Sequence, residues 1–455
     1  MRKFIFIPSL LLAGLFVCAC SQNASVQRNS LPIGVFDSGT GGLTVLEKIL
    51  SLDEFNNQTG EPGADGVADF AAEDFDYLAD QANMPYGVYD SEGKSLLLRA
   101  LVKEDANFLL GDSFYADAAE TSPSGKKLPC KIMVIACNTA TAYGLEDVKS
   151  LLALRADGTK VIGVINAGVK ATLDALEGTD EPFAVGVLAT PGTISSGAYE
   201  RTLLSEAALR GLGDKVSVVN QSGYGFAEAV DTDPAYVDAS LTAPRAGYRG
   251  PAVGLEDNCV KAALLDVYNF DKDGVLGSGS SLQLNSAASY ARFNLVSLVE
   301  RHRAAGSGVP LKAIILGCTH YPFQQETLQG CLAELRAYKK GGKYIYRDII
   351  AEDLVFIDPA KYVAIECYNS LVADKLLAAP KEGRLVRGFI SVPSASLDSS
   401  LLTEEGLLTY EFKYGRDESA ADFGTRQVPF SDATIGLDTK ARIRALLPAC
   451  ATELF

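Results

Sequence analysis

The stretch Ile33-Gly34-Val35-Phe36-Asp37-Ser38-Gly39-Thr40-Gly41-Gly42-Leu43-Thr44-Val45 decides the fold class. Its apolar and small residues before Asp37 are typical of a buried parallel strand. The glycines predict a tight loop, and residues 43–50 have helical spacing. A glycine loop that leads into a helix N-terminus presents unpaired N–H groups and is therefore a candidate anion site. Because the glycines do not have dinucleotide-binding or P-loop spacing, the expected anion is a substrate carboxylate.

Two cysteines, Cys137 and Cys318, each follow a strand-like apolar run and precede small polar residues. The runs are residues 131–136 and 311–317, and the polar residues are Asn138, Thr139, Thr319 and His320. Open α/β sheets present reactive groups at the carboxyl ends of their strands. Two such thiols facing one cleft would place an acid–base on each side of a substrate, as inversion at a carbon requires. Buried packing is the alternative, but such polar neighbours are costly in a core.

Four motifs, in the same order along the chain, resemble the glutamate racemases of the aspartate/glutamate racemase superfamily. They are residues 33–45, Met84-Pro85-Tyr86-Gly87, Ala136-Cys137-Asn138-Thr139-Ala140 and Gly317-Cys318-Thr319-His320-Tyr321-Pro322. Segments 188–199 and 356–360 also match, and the resemblance covers about residues 32–380. It implies an α/β fold of two pseudo-symmetric, flavodoxin-like parallel-sheet domains, with the active site in the cleft between them.

The resemblance also implies a reaction. This is the racemisation of an acidic amino acid, with L-glutamate to D-glutamate as the expected conversion and no pyridoxal phosphate, metal or nucleotide cofactor. Cys137 and Cys318 would be the catalytic pair, with Asp37 beside the first thiol and His320 beside the second. Since an unperturbed thiol has a pKa of about 8.5 and is only about 3% thiolate at pH 7, each thiol needs such a neighbour.

A further catalytic acid and a set of substrate contacts are implied in the same way. The acid is expected late in the middle segment, where Asp231 is preferred to Glu228 for its spacing from Phe226. The residues expected to bind the carboxylates and ammonium of the amino acid are Asp37, Ser38, Tyr86, Gly87, Asn138, Thr139, Thr319 and His320. The other histidine, His302, lies among charged residues and is predicted to be a solvated helix position.

Two other functions stay open at this stage. One is an exported protein that binds an acidic amino acid without turning it over, and the other is an aspartate racemase. The intact cysteines, Asp37 and His320 favour catalysis. The opening motif is of the glutamate type and favours glutamate.

The composition limits the partners. Of the 455 residues, 47% are hydrophobic and 22% are charged, which is ordinary for a globular protein. The formal net charge of −16 argues against nucleic acid and against an anionic membrane surface. We expect a small acidic amino acid as ligand and membrane contact only through a lipid anchor. The resemblance implies that a homodimer is possible, and the inserts could block or create that contact.

The N-terminus predicts export. Arg2 and Lys3 precede an apolar stretch over residues 4–17, and Val17-Cys18-Ala19-Cys20 resembles a lipobox in which Cys20 becomes the lipidated first residue. The protein would then be a membrane-anchored lipoprotein in the periplasm or at the cell surface. A mis-assigned start would instead leave it in the cytoplasm.

Export raises a redox question. Cleavage would remove Cys18 and lipidation would modify Cys20, so seven of the nine cysteines would remain. An odd number does not indicate a disulfide framework. The two catalytic thiols must therefore be kept reduced or sheltered, or the protein no longer racemises.

The expected domain organisation follows the resemblance. It comprises a signal peptide (1–19), a polar tether (20–31), a first domain (32–157, completed by 341–379), a second domain (158–340, with an insert at 232–290) and a C-terminal extension (380–455). Residues 53–74 and 104–128 look like further inserts, and the insert at 232–290 is predicted to be exposed loop. In the extension, residues 389–392 and 408–414 are predicted to be strands.

Overall fold

The structure is a computed structural model that describes residues 27–455. The predicted signal peptide and the predicted lipidation site Cys20 lie outside the described residues. Among residues 27–455, no helix combines the length and the apolar character needed to cross a membrane.

Sixteen strands form two main sheets and three short hairpins in the described part of the chain. The strands are β1 (Ile33–Asp37), β2 (Phe75–Ala79), β3 (Ser113–Phe114), β4 (Gly125–Lys126), β5 (Ile132–Ile135), β6 (Lys160–Gly163), β7 (Phe183–Ala189), β8 (Val216–Ser222), β9 (Val275–Leu276), β10 (Gln283–Leu284), β11 (Leu311–Gly317), β12 (Lys339–Lys340), β13 (Lys343–Tyr344), β14 (Ile350–Ile357), β15 (Val386–Pro393) and β16 (Thr425–Pro429).

Fourteen α-helices accompany these strands within residues 27–455. They are α1 (Leu43–Leu50), α2 (Ser95–Leu110), α3 (Asn138–Arg155), α4 (Val164–Ala175), α5 (Pro191–Ser195), α6 (Ala198–Leu209), α7 (Phe226–Val230), α8 (Leu265–Tyr268), α9 (Ala287–Ala305), α10 (Gln325–Ala337), α11 (Pro359–Asp374), α12 (Tyr410–Gly415), α13 (Leu437–Leu446) and α14 (Pro448–Leu454).

The first sheet has six strands in the order β16-β15-β2-β1-β5-β6. All pairings are parallel except that of β15 with β16. Every residue of β1 is buried, as expected for a parallel strand with both faces covered. Because β1 and β5 pair in register, with Phe36 opposite Ile135, Asp37 and Cys137 follow at the same edge of the sheet.

The second sheet has four parallel strands in the order β14-β11-β7-β8. Gly317 at the end of β11 lies opposite Ala189 at the end of β7. Cys318 and Thr190 therefore emerge side by side at the carboxyl edge of this sheet. Buried apolar clusters cover both faces of each sheet, so the chain has the predicted two-domain α/β fold.

The structure differs from the expected domain boundaries in two places. Strand β6 begins at Lys160 and completes the first sheet, although a boundary at 157 was expected. Strand β14 pairs with β11 in the second sheet, although residues 341–379 were assigned to the first domain. Both strands are edge strands that join a sheet through long-range pairing, and local sequence does not indicate which sheet they join.

The C-terminal extension belongs to the first domain. Its strand β15 contains the predicted strand 389–392 and pairs with β2, and β16 then forms the outer edge of the sheet. The prediction for residues 408–414 is wrong, because Tyr410–Gly415 is helix α12. Thr409 caps this helix by accepting a hydrogen bond from the backbone N–H of Phe412 at 3.3 Å, and such a cap favours helix over strand.

The insert at 232–290 is not simply an exposed loop. It contains α8 and the β9–β10 hairpin. Its residues Val260, Tyr268 and Leu284 are fully buried against the second domain. The apolar residues are widely spaced among glycines and serines, and this spacing conceals how much of the segment packs.

Candidate active site

A cavity of about 490 Å³ lies between the carboxyl edges of the two sheets. Both thiols line it, and each is only 7% exposed. The first domain contributes Asp37 and Ser38 to its wall, and the second contributes Thr190 and His320. Cavities of this size commonly bind small molecules. The structure therefore brings the two cysteines predicted from the sequence to one site.

Cys137 occupies the N-cap position of helix α3. Its Sγ accepts a hydrogen bond from the backbone N–H of Ala140 at 3.4 Å and lies 3.7 Å from the Ser38 Oγ. A helix N-terminus favours the thiolate. Burial and then the Asp37 carboxylate nevertheless raise the pKa of Cys137 to about 12.

Asp37 lies beside Cys137, as the resemblance implied, and is 2% exposed. Burial raises its pKa to about 6, although His320 and two backbone N–H groups oppose the rise. Those N–H groups belong to Gly39 and Gly42, and they donate to the Asp37 Oδ2 at 3.1 and 3.0 Å. The expectation for the glycine loop is therefore corrected: the loop does bind a carboxylate, but that carboxylate is Asp37 itself.

The glycine loop also contacts the second domain. A Cβ placed on Gly41 would lie 2.4 Å from the Cε1 of His320, and one on Gly42 would lie 2.3 Å from the Cβ of Asp37. The Thr44 hydroxyl donates to the backbone carbonyl of Thr319 at 3.3 Å. Glycine is required at these two positions because the loop packs directly against the side chains of His320 and Asp37.

Cys318 begins a chain of hydrogen bonds across the second domain. Its Sγ lies 3.5 Å from the Nδ1 of His320, and the Nε2 of His320 lies 2.9 Å from the Oδ2 of Asp231. The Oδ1 of Asp231 in turn accepts from the Nη1 of Arg442 at 2.5 Å. We call these four residues the Cys318 relay.

Charge is stabilised along the Cys318 relay. Burial lowers the pKa of His320, but the carboxylate of Asp231 and the thiol of Cys318 outweigh it and raise the pKa well above its usual value. Burial raises the pKa of Asp231, but His320 and Arg442 outweigh it and hold the pKa at about 2. An imidazolium beside a carboxylate is therefore the favoured state at neutral pH.

Of the two acids considered from the sequence, Asp231 bonds to His320. Glu228 also lines the cavity, and burial raises its pKa. It has no hydrogen-bonded cation among the described residues, whereas Asp231 has two partners.

The other residues expected to contact substrate surround the same cavity. The Oδ1 of Asn138 accepts from the Tyr199 hydroxyl at 2.6 Å, which leaves the amide N–H groups of Asn138 as donors. The Thr139 hydroxyl lies 3.1 Å from that of Thr190 and 3.0 Å from that of Thr193. The cavity wall includes all of the substrate-contact residues named from the sequence, Asp37, Ser38, Tyr86, Gly87, Asn138, Thr139, Thr319 and His320.

The hydroxyl of Tyr86 contacts two carboxyl side chains of the protein. The hydroxyl lies 2.5 Å from the Oδ2 of Asp80 and 2.7 Å from the Oδ2 of Asp105, and all three side chains are buried. The phenol is thus occupied by two carboxyl groups.

Two features of the site were missed from the sequence, and one histidine outside the site was misjudged. The insert at 232–290 supplies part of the wall, including Arg249 and a third thiol, Cys259. Arg442 comes from the C-terminal extension, where no sequence signal marked it. His302 is not solvated: it is 3% exposed, and its Nε2 lies 2.9 Å from the backbone carbonyl of Val309.

The cysteines in the described part of the chain are all free: Cys130, Cys137, Cys259, Cys318, Cys331, Cys367 and Cys450. No group of three or more His, Cys, Asp or Glu side chains within residues 27–455 is arranged to hold a metal ion.

The fold and the site define a two-domain α/β protein with two opposed thiols in its interdomain cleft. No model of a known protein family matches the chain. The glutamate racemase of Aquifex aeolicus is 35% identical over 173 residues, which cover 38% of this chain and 50% of that protein. The glutamate racemase of Carboxydothermus hydrogenoformans is 27% identical over 372 residues, which cover 82% of this chain and 91% of that protein.

The resemblance found in the sequence is thus confirmed: the chain is similar in sequence to the glutamate racemases. In the Aquifex comparison it spans only half of the relative's length. Among solved structures, a glutamate racemase isoform from Bacillus anthracis is 21% identical with a TM-score of 0.47, covering 80% of this chain and 89% of that one. The glutamate racemase of Francisella tularensis in complex with D-glutamate is 21% identical with a TM-score of 0.43, covering 80% and 88%. Similarity at this level adds nothing to the argument from the site.

Proposed function

We propose that this protein is a cofactor-independent amino-acid racemase whose substrate is glutamate. One observation carries the proposal: two buried thiols at the strand ends of separate domains face one cavity, Cys137 beside Asp37 and Cys318 beside His320. Inversion at Cα needs one group to remove a proton and another to deliver one to the opposite face. The sequence relatives named glutamate racemase support the choice of substrate.

The reaction begins when Cys137 transfers its thiol proton to Asp37. With a pKa of about 6, Asp37 is ionised at neutral pH. The positive ammonium group of a bound amino acid would lower the pKa of the thiol from about 12. Substrate binding therefore generates the base that the reaction requires.

The Cys137 thiolate then takes the α-proton. The Cα–H bond breaks, its proton forms the new S–H bond, and its electron pair is delocalised into the α-carboxylate. The Cys318 thiol gives its proton to the opposite face of Cα, the resulting thiolate is reprotonated by His320, and His320 regains a proton from solvent. Asp37 returns its proton to solvent, and the reverse reaction exchanges the roles of the thiols.

The experiment uses purified protein with reductant, incubated with L- or D-glutamate in D₂O. Deuterium at Cα is followed by mass spectrometry and enantiomer composition by chiral chromatography, with aspartate as the comparison substrate. We expect deuterium incorporation and inversion to proceed together from either enantiomer of glutamate. Folded protein that binds glutamate but produces neither would contradict the proposal and support the binding function.

The matched control is Cys259→Ser. Cys259 lies on the insert side of the cavity wall, is partly exposed, and hydrogen bonds only to the adjacent Asn258 among the described residues. Its loss should leave inversion near the wild-type rate, whereas loss of either strand-end thiol should not. A result in which all three cysteine variants are equally impaired would indicate general damage to the cleft.

Export and lipidation at Cys20 are a separate proposal that rests on the sequence alone. Metabolic labelling with a radioactive fatty acid tests it, with Cys20→Ser as the control. Labelling that depends on Cys20 supports a lipoprotein, and an exported racemase cannot feed cytoplasmic cell-wall precursors directly. Unlabelled protein in the cytoplasm contradicts it.

A further inference from the structure

The C-terminal extension places a cation in the Cys318 relay. The Nη1 of Arg442, on helix α13, donates to the Oδ1 of Asp231 at 2.5 Å and lies 3.5 Å from the backbone carbonyl of Val230. The Arg442 side chain is 25% exposed and that of Asp231 is 21% exposed. This ion pair is therefore shielded from much of the solvent that weakens surface pairs.

Helix α13 is held firmly at this position. Its residue Ile443 and the following Leu447 and Cys450 are buried in the core beside the first sheet. The Glu47 carboxylate accepts backbone N–H groups of Ala449 and Cys450 at 3.1 and 2.8 Å. Arg442 thus projects from a docked element of the first domain onto an acid of the second.

No other acid near His320 has such a partner among the described residues. Asp37 is bonded by backbone N–H groups, and Glu228 has no hydrogen-bonded cation. Arg442 is also outside the segment that resembles the racemases, about residues 32–380.

We propose that Arg442 is a positioning residue that acts through Asp231 and His320 on the Cys318 thiol, so that the C-terminal extension is part of the active site. The proposal rests on the proposed racemase function only for its catalytic consequence. The geometry itself can be tested without turnover.

The arrangement fixes the direction of each hydrogen bond. Arg442 occupies the Oδ1 of Asp231, so the Oδ2 is left to accept the Nε2–H of His320. The Nδ1 then faces the Sγ of Cys318 at 3.5 Å. Without the guanidinium, the carboxylate is free to rotate, and the imidazole loses the group that sets its orientation.

A first test uses the fact that the chain has only two histidines. In protein labelled with ¹⁵N-histidine, Arg442→Gln should shift the ring resonances of His320 and leave those of His302, which serves as the internal reference. Arg442→Lys should keep the His320 resonances near their wild-type positions. Arg444→Gln is the matched control, because Arg444 is an exposed residue of the same helix.

A second test measures the thiols directly. Alkylation by iodoacetamide at neutral pH, followed by mass spectrometry, gives separate rates for Cys318 and Cys137. Removing a hydrogen bond to a charged group changes the rate or equilibrium that depends on it by about tenfold. We expect Arg442→Gln to slow alkylation of Cys318 by about that factor, with Cys137 unchanged and Arg442→Lys partly restored.

The outcomes separate this inference from the proposed function. Unchanged His320 resonances and an unchanged Cys318 rate in Arg442→Gln would overturn the inference, and so would equal changes in Arg444→Gln. If both readouts change as expected while the wild-type protein shows no racemisation, the positioning role stands and the proposed function fails.

Discussion

Asp37 lies beside Cys137 and Asp231 is linked to Cys318 through His320, yet their environments shift their pKa values in opposite directions. Burial dominates at Asp37 and raises the pKa to about 6. At Asp231, His320 and Arg442 overcome burial and hold the pKa at about 2. The Cys137 side of the cleft thus holds a carboxylate that can take up a proton near neutral pH, and the Cys318 side holds one that stays ionised. The two thiols can therefore have equivalent roles although the carboxylates near them differ in pKa.

Replacing the thiols tests the comparison most severely. Cys137→Ser and Cys318→Ser should each reduce racemisation by about 10³-fold, since a positioned acid–base contributes about 10²–10⁴-fold. The remaining thiol should still exchange the α-proton of one enantiomer with D₂O, and the two variants should select opposite enantiomers. Deuterium exchange from separate L- and D-glutamate samples measures this. If both variants exchange the same enantiomer, the thiols do not lie on opposite faces.

Asp37→Asn tests the side with the raised pKa. Racemisation should fall about 10²-fold, because the amide cannot accept the thiol proton. In the wild type, kcat/KM should fall as the pH drops through about 6, since protonated Asp37 cannot act as the acceptor. The residual activity of Asp37→Asn should lack this pH dependence. If kcat/KM of the variant still falls near pH 6, a group other than Asp37 causes the fall.

Stability should change with opposite sign at the two carboxylates. A raised pKa means that the folded state binds the proton more tightly, so stability is lost as the pH rises from 3.8 to about 6. Asp37→Asn should therefore be more stable at pH 7, by up to about 3 kcal/mol. Asp231, whose pKa is depressed, contributes stability above pH 3.8 that is lost as the pH falls through about 2. Asp231→Asn should lose about 2 kcal/mol at pH 7.

Urea unfolding followed by circular dichroism measures both changes, because the chain has no tryptophan to report by fluorescence. If the comparison holds, the free energy of unfolding at pH 7 is higher than wild type in Asp37→Asn and lower in Asp231→Asn. If both are destabilised at pH 7, the raised pKa of Asp37 is not the dominant effect of its burial.

A smaller effect is expected where the two sides meet. In Gly41→Ala the new Cβ would lie 2.4 Å from the Cε1 of His320, so the imidazole must move away from Cys318. We expect racemisation to fall about tenfold, the effect of disturbing one charged hydrogen bond, with the protein still folded. Wild-type rates would show that the loop can retreat without disturbing the relay.

The smallest effect belongs to the matched glycine control, Gly330→Ala. A Cβ on Gly330 meets nothing within 4 Å, and the residue lies inside helix α10. Because alanine is the better helix former, stability should rise by about 1 kcal/mol and racemisation should not change. A loss of activity here would mean that cleft function is sensitive to distant changes, which would weaken the conclusion from Gly41.

Local sequence pattern predicted the parts of the site that local structure determines. The strand before Asp37, the helix over residues 43–50 and the strand-end position of both cysteines each follow from a short run of residues, and the structure contains them. The glycine loop was correctly expected to bind an anion. Its occupant was not, because the pattern does not show that the neighbouring Asp37 can fold back onto it.

The parts that sequence did not predict depend on long-range contacts. Arg442 reaches Asp231 across 211 positions, and nothing near residue 442 indicates which acid it will meet. His302 was placed in solvent because its neighbours are charged, yet its ring is buried against Val309. The insert lines the cavity only because distant segments of the second domain support it.

The hydroxyl of Tyr86, placed between Asp80 and Asp105, has a consequence for the charge of the whole protein. One phenolic proton can be donated to only one of the two carboxyl groups, so the other must carry a proton of its own. Burial, together with the charge of Asp80, raises the pKa of Asp105 well above its usual value. The formal charge of −16 counts every carboxyl group as ionised and both histidines as neutral, so the buried proton between these carboxyl groups and the imidazolium of His320 both make the native chain less negative. Unfolding at neutral pH should release these protons, and a calorimeter can register the release as buffer-dependent heat.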